Sequence, residues 1–92
     1  MNAHNRGVVT RLAGKIDAFT SGKIELDEMQ SQLQAALTLF ERDGSTACEA
    51  VRLAEADVEE IRFTMLLDEQ RSAAVFRLDE LRETLTAELC VA

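Results

Sequence analysis

Seventeen acidic and ten basic residues in a chain of 92 give a formal net charge of −7. The charge is divided: the first 24 residues set Arg6, Arg11, Lys15 and Lys23 against Asp17, and everything from Glu25 onward sets sixteen acids against six arginines. Such a surface repels phosphate and favours cationic partners, and a chain this short is expected to form one small domain with one modest core.

The chain contains no proline and only four glycines, with Ala, Leu, Glu, Arg and Gln abundant. These residues lose little side-chain entropy in a helix, so the expected fold is all-α, a compact antiparallel bundle of three to four helices in a single domain. No apolar run approaches the roughly 20 residues that cross a bilayer, and the N-terminus lacks an apolar leader, so the expected location is the cytoplasm, with no membrane partner.

The first predicted helix covers residues 5–21. Val9, Leu12, Ile16 and Phe19 recur at spacings of three and four, and Ser21-Gly22 closes the run with a residue suited to the left-handed C′ position. The second covers 26–43: Leu26, Met29, Leu33, Ala36 and Phe40 share one stripe with Leu37 beside it, and Ile24 is placed to staple onto Met29 across Glu25. Gly44 is expected to end it and Ser45 to cap the third.

The third helix, 45–67, has the most regular seam. Ala47, Val51, Ala54, Val58, Ile61 and Met65 alternate spacings of four and three, the pattern of long, nearly antiparallel packing. Its phase fails between Leu66 and Ala73, and a new stripe runs through Ala74, Leu78, Leu81 and Leu85. Asp68 can cap a helix, so a turn near Asp68-Glu69 and a fourth helix over 69–89 are expected. Cys48 and Cys90 are symmetric about position 69, so a hairpin there brings them to one end of the bundle. A disulfide is then within geometric reach, and the plainer expectation is two reduced thiols.

Chemistry is sparse. His4 lies in an N-terminal tail, which leaves no placed base for a Ser or Cys nucleophile. Two cysteines and one histidine do not supply a metal set, Glu-x-x-His pairs are absent, and the glycines form no phosphate loop, so no catalytic, metal or cofactor residue is assigned. Arg6, Arg11 and Lys15 make a weak footprint for direct nucleic-acid binding, with no Tyr or Trp to stack bases. Their expected use is docking of a basic first helix against the acidic remainder.

The acidic surface carries the candidate site. Glu55 and Asp57 flank the third helix's seam, Glu59 and Glu60 continue the cluster, and paired carboxylates there suit arginines from a facing surface. Phe63 lies opposite the Val58/Ile61/Met65 seam, and the first expectation for it is packing, with Ala56 and Leu67, against the first or second helix. Phe76 lies about 140° or more from Leu78, Leu81 and Leu85. Its neighbours are Ala73, Glu80 and Glu83, an aromatic in an acidic rim of the kind that anchors a protein contact. The expected protein-binding residues are therefore Glu55, Asp57, Glu59, Glu60, Phe63, Phe76, Glu80 and Glu83.

Three functional classes fit. One is a non-catalytic inhibitor or antidote that covers a basic protein partner such as a nuclease toxin, as bacterial immunity and antitoxin-type proteins do. Another is a homodimeric structural or adaptor module. In length and helicity the chain also resembles the WXG100 group of secreted helical hairpins, although its mid-chain turn reads Glu41-Arg42-Asp43-Gly44 where that group carries Trp-x-Gly.

Overall fold

The computed structural model describes residues 1–90, which form four helices: α1 (Ala3–Thr20), α2 (Leu26–Leu39), α3 (Ala47–Thr64) and α4 (Leu67–Cys90). Each helix packs on two others, α1 and α3 both lying against α2 and α4. Cross-helix bonds fix the directions. His4 meets Leu39, Gln30 meets Arg62, Thr46 meets Glu88, and Arg6 meets Leu89, so low positions of one helix face high positions of the next and all four contacts are antiparallel. The result is an up-down-up-down bundle about 40 Å long.

The apolar stripes meet at its axis. Val9, Leu12, Ile16 and Phe19 of α1, Met29, Leu33 and Ala36 of α2, Val51, Ala54 and Val58 of α3, and Ala74, Leu78, Leu81 and Leu85 of α4 are all buried in one cluster. Ala47 joins them at the start of α3, whereas Ile61 and Met65, at the far end of the α3 seam, are only half-buried.

Helix boundaries differ from the sequence expectation at four places: the starts of α1 and α3, the end of α2, and the turn between α3 and α4. α1 begins at Ala3, because the Asn2 side chain caps it by accepting the Asn5 N–H at 2.8 Å. His4 is therefore part of a helix, and its Nε2 lies 2.7 Å from the Leu39 carbonyl that it caps. α2 stops at Leu39, not near position 43: Phe40 turns extended (φ −64°, ψ 137°). The groups released there are taken up by α1. Buried Asn5 donates from Nδ2 to the Glu41 carbonyl at 2.7 Å and accepts the Glu41 N–H at 2.9 Å.

Gly44 does adopt a positive φ of 82°, but within the connecting loop, where Asp43 Oδ1 accepts the Ser45 N–H at 2.9 Å in an Asx turn. The residue at the α3 N-cap is Thr46, not Ser45, and its hydroxyl reaches across to the Glu88 carboxylate of α4. By contrast, the α1 terminus follows expectation. Gly22 (φ 85°) donates to the Phe19 carbonyl at 3.0 Å and Lys23 to the Ala18 carbonyl at 2.8 Å, the paired bonds of a Schellman motif.

The turn between α3 and α4 falls at Met65-Leu66, three residues before Asp68-Glu69. Met65 is extended (φ −101°, ψ 152°) with no glycine to assist, and the Gln70 amide donates to the carbonyls of Met65 (3.1 Å) and Arg62 (3.3 Å), standing in for the missing C-cap. Asp68 and Glu69 lie in the first turn of α4, where their charge complements the helix dipole. At the same end Arg71 donates to the Phe19 carbonyl and stacks over the Phe19 ring, 4.4 Å from its centroid.

The Asn5 bonds give a quantitative expectation. Asn5→Ala removes both and leaves the Glu41 amide groups without that partner, so urea unfolding should show a loss of about 2–3 kcal/mol. Asp43 gives a second. The Ser45 side chain and backbone, then the Asn2 amide, hold its carboxyl well below the usual carboxylate range. The unfolded chain, with an ordinary value of about 3.9, binds the proton more tightly, so this stabilisation is complete above about pH 4 and is lost as pH falls below it. Asp43→Asn should therefore flatten the decline of Tm through that acid range.

Candidate functional site

Charge on the bundle is set by which carboxylates find partners. Asp57 Oδ2 accepts from Arg77 Nε at 2.5 Å, Glu49 pairs with Arg52 one turn on, and Asp17 takes two bonds from Arg82, at 3.1 and 3.2 Å. Hydrogen bonding from Arg82 lowers the Asp17 pKa and raises that of Arg82 in return. In that pair the acid belongs to α1 and the base to α4, the reverse of the expected docking of a basic first helix. Arg6, Arg11, Lys15 and Lys23 form no ion pairs among the described residues; Arg6 instead donates to the Leu89 carbonyl at 2.9 Å, at the C-terminal turn of α4.

The eight expected site residues do not form one face. At about 100° per residue, Glu55 and Asp57 leave α3 on opposite flanks. Glu55 turns toward α2, accepting from Gln34 Nε2 at 3.4 Å, and Asp57 toward α4. Glu59 and Glu60 are exposed one turn before Phe63, and Phe76, Glu80 and Glu83 are exposed along the outer side of α4. Two separate strips result, on adjacent corners of the bundle.

Phe63 does not pack on the first or second helix. It is 82% exposed, Ala56 and Leu67 are exposed with it, and Phe76 is 73% exposed. Leu66, to which sequence reasoning gave no role, completes the picture: it is 69% exposed and Leu67, expected to be packed, is 85% exposed. With Phe63 they put three large apolar side chains in water within five residues, at the corner where α3 hands over to α4. The signal was in the run Phe63-Thr64-Met65-Leu66-Leu67, which straddles the phase break and holds more apolar groups than either stripe can bury.

A shallow hollow between α2 and α3, lined by Gln30, Gln34, Glu59, Arg62 and Phe63, opens beside this corner. Arg62 is engaged there, its Nη1 donating to Gln30 Oε1 at 2.5 Å. No family model, curated protein or solved structure matches the chain. Apolar groups lie beside carboxylates that have no ion pair among the described residues, and no cluster of three or more His, Cys, Asp or Glu among them is placed to hold a metal ion. Cys48 and Cys90 are both free. No helix among the described residues is long and apolar enough to cross a membrane.

Side chains already in water contribute little to folding. Phe63→Gln and Leu66→Gln should each change the unfolding free energy by no more than about 0.5 kcal/mol. Leu78→Ala, at the bundle axis, should cost about 2–5 kcal/mol in the same urea titration.

Proposed function

We propose that this chain is a small, non-catalytic protein-binding protein of the cytoplasm, an inhibitor or antidote of the immunity or antitoxin type that neutralises a basic protein such as a nuclease toxin. The observation that carries the reading is the exposure of Phe63, Leu66, Leu67 and Phe76 on a helical pair whose surrounding carboxylates, among them Glu59, Glu60, Glu80 and Glu83, are without ion-pair partners among the described residues. Apolar side chains in water supply binding energy once a partner covers them, and the negative field around them steers a cationic partner inward. Covering a cationic active surface needs no chemistry from the inhibitor, only shape and charge.

A homodimeric adaptor would use the same exposed side chains, and it differs in its response to salt. Capture on tagged protein at low ionic strength, followed by stepwise salt elution, should yield a basic protein. Its association rate with the chain should fall about tenfold or more as salt rises from about 0.05 to 0.5 M, since screening removes the steering. A salt-insensitive dimer in sedimentation, with no captured basic protein, would replace this reading with the adaptor.

A further inference from the structure

Two strips compete for the contact, and we infer that the docking surface is the α3–α4 corner, built on Phe63, Leu66 and Leu67, and that its occupant is a cationic amphipathic segment of a partner protein. This rests on the proposed reading of a basic partner and locates the contact. The three side chains are 82%, 69% and 85% exposed within five residues, whereas Phe76 stands apart. It lies nine residues beyond Leu67, roughly 13 Å along α4 and on the opposite side of that helix. In the hollow it lines its apolar companion is the half-buried Val75, a smaller apolar contact centre than three exposed side chains within five residues.

Charge selects the occupant. Glu59, Glu60, Asp68 and Glu69 surround the corner, all exposed and without ion pairs among the described residues. The two arginines of the same stretch are held by neutral acceptors, Arg62 by the Gln30 amide and Arg71 by the Phe19 carbonyl, and reach none of these carboxylates. With Lys23, in the α1–α2 turn at the same end of the bundle, they keep their charge and leave the corner with a net negative charge of one. A second copy of the chain meeting this corner would bring those carboxylates against their own symmetry mates, a like-charge contact. A segment with apolar side chains on one face and Lys or Arg on its borders satisfies both features, and the hollow beside Phe63 places Glu59 where an incoming guanidinium can pair with it while lying against the ring.

The test uses the full chain, isotopically labelled, and two synthetic peptides of identical Leu/Lys composition and charge, one amphipathic as a helix and one scrambled. Amide shifts should centre on residues 59–69, and the amphipathic peptide should bind about tenfold tighter than the scrambled one. A Leu66→Gln/Leu67→Gln double variant should lose about tenfold in affinity while Phe76→Gln stays within about twofold, with Tm verifying that each variant folds. Shifts centred on residues 76–83, or equal binding of the two peptides, would overturn the corner and leave the basic-partner reading standing. Failure of both peptides to bind at about 20 mM salt would remove the cation attraction on which that reading itself depends. Corner shifts that follow the concentration of the chain alone would make the occupant a second copy and overturn the assignment.

Discussion

The C-terminal carbonyls of a helix must find donors, and in this chain they find them mostly on other helices. Only α1 ends on a left-handed glycine, Gly22. Gln70 of α4 serves the end of α3, and at the opposite end of the bundle the first turn of α1 serves α2, the loop after it and α4: His4 to Leu39, Asn5 to Glu41, and Arg6 to Leu89. Asn2 adds its backbone N–H, which donates to Asp43 at 2.8 Å. Secondary and tertiary structure are thereby coupled, since α2 has no local reason to stop at Leu39 and stops because α1 is there to receive it.

That coupling decides what could be read in advance. The stripes were legible because burial follows a 3.6-residue period: Val9, Leu12, Ile16 and Phe19, and again Ala74, Leu78, Leu81 and Leu85, need nothing beyond their own spacing. The ends were not. Gly44 and Ser45 look like a stop and a start, yet both belong to a loop shaped by Asp43, and Asp68 looks like a cap although the turn, held by Gln70, falls three residues before it at Met65. Within the candidate site, the outward placement of Phe76 followed from phase alone. Phe63 did not, because whether an off-stripe residue meets a second neighbour depends on where the helices end, and α3 ends beside a corner that no other helix covers. The spread of Glu55 and Asp57 to opposite flanks was legible from their spacing of two, but their partners Gln34 and Arg77 were set by register between helices.

The arginines explain why the surface stays acidic. Arg52, Arg62, Arg71, Arg77 and Arg82 are each engaged within the chain, with a carboxylate, the Gln30 amide, or the Phe19 carbonyl and ring. Arg62, Arg71, Arg77 and Arg82 tie neighbouring helices together and Arg52 pairs within α3, and none of the five reaches Glu59, Glu60, Glu80 or Glu83 among the described residues. Exposed ion pairs add only modestly to stability, so the arrangement serves geometry, and the uncompensated negative field at the outer corners of α3 and α4 is left to act on whatever approaches.

The bond from Arg6 to the Leu89 carbonyl joins residues 83 positions apart. α1 is synthesised before α4, so the side of its apolar stripe that α4 covers has no partner until the ring of four helices closes. A contact of that sequence separation makes closure a late, non-local step that joins the helices into one cooperative unit.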